Sequence, residues 1–113
     1  MDGIIFWKVI VFESDRGEKF VEEFIKSLDK STISKVSNNI ELLQESGFLL
    51  GMPHSKKLTK DIYELRIRGR EEIRIFYAFL GRKIYLLHGF KKKAQKTPQK
   101  EIDIAFRRFS ILK

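Results

Sequence analysis

Residues 62–90 read IYELRIRGREEIRIFYAFLGRKIYLLHGF, and this stretch decides the fold. It holds three runs rich in β-branched and aromatic residues, 62–68, 72–80 and 83–90. Short turns at Gly69-Arg70 and Gly81-Arg82 separate them, so the three runs predict an antiparallel meander. Side chains alternate across a strand. Tyr63, Leu65 and Ile67 therefore share a core face with Ile73, Ile75, Tyr77 and Phe79. The opposite face gathers Glu64, Arg66, Arg68, Glu72, Arg74 and Phe76. In the third run Ile84, Leu86, His88 and Phe90 share one parity, which makes His88 a candidate core histidine. A bulge at Gly89 would reverse the parity after it and decide which of Lys91, Lys92 and Lys93 joins the arginine face.

Upstream, residues 4–12 (IIFWKVIVF) predict a strand. Ser14 and Asp15 can cap a helix on which Phe20, Val21, Phe24, Ile25 and Leu28 recur at helical spacing. Ser31 or Thr32 can cap a second helix with Ile33, Val36, Ile40 and Leu43 on one stripe, ended by Gly47. The short connection predicts a two-helix hairpin. Residues 48–60 read as a basic loop. Downstream, Thr97 is a candidate N-cap and Pro98 suits a first helical position. Ile102, Ala105, Phe106 and Phe109 mark a last helix. The predicted order is β-α-α-β-β-β-α, an α+β fold with the N-terminal strand and helix hairpin packed on a mostly antiparallel sheet. The second sheet face must be covered by the last helix, a partner or a ligand.

The 113 residues suit one domain, 1–113, with one modest core. No Cys is present, which excludes disulfides and thiolate chemistry. No apolar run reaches the roughly 18 residues of a membrane helix. Residues 1–3 lack the basic start of a signal peptide, so the expected location is cytoplasmic, with no membrane partner. The net charge of +8 is uneven: residues 1–50 carry 6 Lys/Arg against 9 Asp/Glu, and residues 51–113 carry 17 against 6. A basic half of this kind suggests a surface for a polyanion. Guanidinium forks on the Arg66, Arg68 and Arg74 face match phosphate geometry. Cross-strand pairing with Glu64 and Glu72 is the competing reading of the same residues.

Residues 58–74 (LTKDIYELRIRGREEIR) and the run His88-Gly89-Phe90-Lys91-Lys92-Lys93, followed by Thr97-Pro98, Glu101 and Ala105, resemble the HigB-like, phage-derived branch of the RelE/ParE toxin superfamily. The resemblance spans about residues 4–110. It implies a RelE-like, microbial-ribonuclease-like fold with a curved sheet. It also implies the toxin of a type II toxin–antitoxin pair: a metal-independent messenger RNA endoribonuclease that acts at the ribosome and halts translation. The implied partners are the ribosome, its messenger RNA and a helix-turn-helix, HigA-like antitoxin held in a hetero-oligomer. No cofactor is implied.

Attack of a 2′-hydroxyl on its phosphate needs a base, cations that stabilise the phosphorane, and an acid for the leaving 5′-oxygen. The only histidines, His54 and His88, lack metal-ligand spacing. Arg66 and Arg74 are the first candidates as clamps, and one of Lys91, Lys92 and Lys93 as proton carrier or stabiliser. These three lysines are expected to be inequivalent. Tyr77 resembles a family tyrosine, but its parity suggests core. His54 is a candidate catalytic group or part of a solvated basic loop. Lys56, Lys57, Arg68 and Lys96 complete an expected RNA-binding surface. A relative that poisons DNA gyrase as ParE toxins do, a nucleic-acid-binding module without cleavage and an inactive toxin remain open alternatives.

Overall fold

The computed structural model describes residues 6–113. Its elements run β1 (Lys8–Val11), α1 (Phe20–Lys26), α2 (Lys30–Ser46), a 3-10 turn (Gly47–Leu49), β2 (Ser55–Lys57), β3 (Tyr63–Ile67), β4 (Ile73–Leu80), β5 (Lys83–Lys91) and α3 (Gln99–Leu112). The protein is α+β, with a five-stranded mixed sheet in the order β1-β5-β4-β3-β2. This arrangement is compatible with the RelE-like fold that the resemblance implies. The meander is present as β3-β4-β5. β1 joins it in parallel beside β5, with Lys8 opposite Lys83. Residues 4 and 5 of the expected first strand lie outside the described residues.

The basic loop contains a strand the sequence reading missed. β2 is three residues long and antiparallel to β3. Its Ser-Lys-Lys sequence has too little alternation to signal a strand, and its ladder with β3 is what holds it.

Helices cover both faces of the sheet. On one side Val21, Leu28, Val36 and Leu43 pack against Leu65, Ile67, Ile73, Ile75, Tyr77, Ile84 and Leu86. On the other, Ala105 and Phe109 of α3 pack against Ile62, Phe76, Ala78 and Leu87. Burying a Phe such as Phe109 contributes about 1.5–3 kcal/mol, which helps to fasten α3.

Several helix ends differ from expectation. α2 is capped by Asp29, whose carboxylate accepts from the Thr32 amide at 2.8 Å, and not by Ser31 or Thr32. Asp29 precedes the helix by one residue, so its side chain reaches the third amide, where an N-cap acts. Neither Ser14 nor Asp15 caps α1, whose N-cap is Lys19; Ser14 instead closes a turn with Glu18. Pro98 takes the N-cap position of α3, so the helix starts one residue later than expected, and the Thr97 hydroxyl donates to Glu64 instead of capping.

Gly47 does end α2, at φ +52°. A Cβ there would collide with the Trp7 indole, and the positive φ adds strain. Gly47→Ala is expected to destabilise the fold by about 1–3 kcal/mol, as overpacking does. A thermal melt that matches the parent would refute this.

The strand irregularity lies at Leu87, not at Gly89. Phe76 pairs with His88 and Tyr77 with Leu86, so Leu87 has no partner on β4. The parity reverses there. Ile84 and Leu86 face α1 and α2, whereas Leu87 and Phe90 belong to the α3-side core. Gly89 then falls on the α1 side, where a Cβ would sit 2.6 Å from the Phe24 ring. His88, expected with Ile84 and Leu86, therefore lies on the α3 face.

Candidate functional site

Register assembles the site at one end of the sheet. Arg66 pairs with Arg74 and Arg74 with Phe90, and the Arg66 amide donates to the His54 carbonyl at 2.8 Å. His54, just ahead of β2, thus forms a row with Arg66, Arg74 and Phe90 of β3, β4 and β5. Lys56, Glu64, Phe76 and His88 form the next row. Beyond the first row the chain leaves the sheet at Arg68 and enters the lysine run after Lys91. The covering helix α3 takes the middle of this face, leaving the β2–β3 edge open.

At that edge His54, Arg66 and Arg68 line a shallow depression of about 170 Å³ with Asn39 and Pro53. His54 and Arg68 are exposed, and Arg66 retains 15% exposure. Among the described residues no hydrogen bond or ion pair holds the His54 imidazole. Larger depressions lie elsewhere, one of about 460 Å³ beside the C-terminal half of α3. The shallow one is the depression that unites an imidazole with two guanidinium groups.

Behind Arg66 stands a fully buried carboxylate, Glu64. Its Oε1 accepts from Arg66 Nε at 3.0 Å and its Oε2 from the Thr97 hydroxyl at 3.0 Å. Arg74 Nε lies 3.6 Å from Oε2, close enough for ionic attraction but too far for a hydrogen bond, and it has no other partner. Arg74 Nη1 donates to Glu72 at 3.1 Å. The competing reading of the arginine face, pairing with Glu64 and Glu72, therefore describes Arg66 and Arg74. Arg74, expected as a free phosphate clamp, is only 4% exposed and stands in this structure as a buried ion-pair partner.

The three lysines of the run have different surroundings, and only Lys91 lies in β5. Lys91 pairs with Glu71 at 2.9 Å, and its register partner Ile73 is on the α1–α2 side. Lys92 donates to the Ala94 and Gln95 carbonyls and folds its own loop. Lys93 and Lys96 are exposed. Lys56 lies on the site face opposite Glu64, whereas Lys57 lies over the Tyr63 ring on the other face. Tyr77 is not at the site. It is fully buried on the α1–α2 side, bonded to Ser55, and burial pushes its phenol up to about 12.

His88 Nε2 lies 2.6 Å from Glu101 Oε1, and its ring stacks near Phe90. Burial pulls its imidazole below the usual value, against the opposing pull of Glu101. With the folded pKa depressed, the unfolded chain takes up the proton first. The stability contributed by neutral His88 is therefore complete above about pH 6.5 and drains away as pH falls. Wild-type Tm is expected to drop more steeply from about pH 7 to about pH 5 than that of His88→Gln. Parallel slopes would reject this assignment.

Sequence reasoning counted Glu64 only as a neutraliser and missed Thr97 as its partner. The i, i+2 spacing of Glu64 and Arg66 signalled a shared face. Nothing local signals Thr97, which lies 33 residues from Glu64.

Among the described residues no three His, Asp or Glu side chains group as a metal site. No helix among them is long and apolar enough to cross a membrane. Compared with known proteins, the chain matches the family described as Phage derived protein Gp49-like (DUF891) over residues 23–110. No curated protein matches it.

Proposed function

This chain belongs to the Gp49-like family of phage-derived proteins, in general a RelE/toxin-like family, and from that premise we propose that it is the HigB-like toxin of a type II toxin–antitoxin pair. Its activity is ribosome-dependent endonucleolytic cleavage of messenger RNA in the cytoplasm. One observation carries this reading: His54, Arg66 and Arg68 line a single depression at the open sheet edge.

Imidazole is the side chain best suited to exchange protons near neutral pH. His54 takes the proton of the 2′-hydroxyl, whose oxygen bonds to the adjacent phosphorus as the bond to the 5′-oxygen breaks. Arg66 and Arg68 stabilise the charge on the phosphorane oxygens without a metal. The leaving 5′-oxygen takes a proton from Lys93 or from water. The products are a 2′,3′-cyclic phosphate and a 5′-hydroxyl. Lys56 and Lys96 bind flanking phosphates. With a shallow site, orientation of the RNA falls to the ribosome, and alignment of this kind is worth up to roughly 7–11 kcal/mol. A helix-turn-helix, HigA-like antitoxin forms a hetero-oligomer with the chain and keeps it from the ribosome.

The pairing of Arg66 and Arg74 with carboxylates favours a second reading. A ParE-type gyrase poison needs no aligned catalytic set, and neutralised arginines suit it. Primer extension on messenger RNA from a cell-free translation reaction, with and without ribosomes, separates the two. Cuts that need ribosomes and keep codon register support the ribonuclease. Intact messenger RNA, with DNA supercoiling blocked in a parallel gyrase assay, supports the ParE-type reading.

A further inference from the structure

We infer that Glu64 is a positioning residue: its buried carboxylate grips Arg66 through Nε and thereby turns the Nη edge of the guanidinium toward the depression that holds His54. The inference deepens the ribonuclease reading and rests on it.

The Arg66–Glu64 contact is made by Nε at 3.0 Å. An arginine offers five donors in a rigid fork, so engaging Nε leaves both Nη groups available for a phosphate. The one further contact of Arg66's guanidinium among the described residues is weak, Nη1 to the Met52 sulfur at 3.7 Å. The grip itself does not swing. Glu64 is fully buried, and its two oxygens are held from separate parts of the chain, by Arg66 on β3, by Arg74 on β4 and by Thr97 ahead of α3. A long side chain at an open edge ordinarily samples several rotamers, and this anchor removes that freedom before substrate arrives.

Bulk electrostatics does not account for the arrangement. A carboxylate beside a phosphate site opposes anion binding, so Glu64 should weaken RNA affinity while raising the cleavage rate. Those opposite signs distinguish positioning from a structural role.

Glu64→Gln keeps the shape but makes the acceptor neutral and sets an amide against Arg74 and Thr97. Single-turnover cleavage of messenger RNA on programmed ribosomes, at saturating protein, is expected to fall about a hundredfold, the scale of a misplaced catalytic group. The Kd for a short RNA oligonucleotide should stay level or tighten. A purely structural role predicts a lower Tm with an unchanged saturating rate of the folded protein, and that result overturns the inference. Where the variant fails to fold, exchange of the Arg66 Nε proton in wild-type protein, read by NMR, decides. Protection from exchange supports the grip, and exchange as fast as that of exposed Arg68 overturns it. Wild-type protein that makes no cuts overturns the ribonuclease reading together with the inference. Wild-type cutting matched by Glu64→Gln overturns the inference alone.

Discussion

His54→Ala is expected to lower ribosome-dependent cleavage by about 10²–10⁴-fold, the usual contribution of a positioned general base. The same substitution should leave Tm unchanged. His54 is exposed one residue ahead of β2, and the fold uses its backbone, not its ring: the carbonyl accepts from Arg66 and the amide donates to the Gly51 carbonyl. Alanine preserves both bonds. This separation of rate from stability makes the variant informative, because a loss of cleavage cannot then be assigned to unfolding. Full cleavage by folded His54→Ala would remove the imidazole from the mechanism and leave the depression as an anion-binding surface. Loss of RNA binding in step with cleavage would point the same way.

Arg74→Ala should instead destabilise the fold by about 3–5 kcal/mol, the scale for removing one partner of a buried ion pair. Arg74 is 4% exposed and lies between Glu64 and Glu72. Without it, the fully buried Glu64 keeps only Arg66 as a cationic partner, and the attachment of the segment before α3 through Thr97 weakens with it. The urea midpoint is the direct measure. A free phosphate clamp, the role expected from sequence, would show the reverse, lost cleavage with an intact fold. An Arg74→Ala protein with the wild-type midpoint and no cleavage would restore that expectation and return Arg74 to the phosphate.

The two outcomes bear on each other. Sequence ranks Arg74 ahead of His54 as a catalytic candidate, since Arg74 sits in a strand with clear alternation and His54 in a basic loop. Three-dimensional placement inverts the ranking. Arg74 is in a central strand, covered by neighbours on both sides, whereas His54 stands at an edge.

Alternation determined the meander, because β3 and the start of β4 alternate polar and apolar residues and glycine marks the turns between the runs. It correctly gathered Tyr63, Leu65, Ile67, Ile73, Ile75 and Tyr77 on the side that α1 and α2 cover. It also placed Arg66 and Arg74 together on the other face. These are local properties of the chain, legible wherever one strand face is buried. Three features were decided only by tertiary structure. β2 exists because β3 offers its edge, not because Ser-Lys-Lys favours a strand. The extra residue at Leu87 moves His88 to the α3 face because Leu87 has no partner on β4, so Leu87 and His88 fall on the same side of the strand. The charge state of the arginine face depended on whether Glu64 would be buried, and a segment 33 residues away supplies the Thr97 hydroxyl that completes its shell. Periodicity reports which side of a strand a residue takes. Which partners meet it there depends on contacts between segments far apart in the chain, and that pairing separates a free guanidinium from a neutralised one.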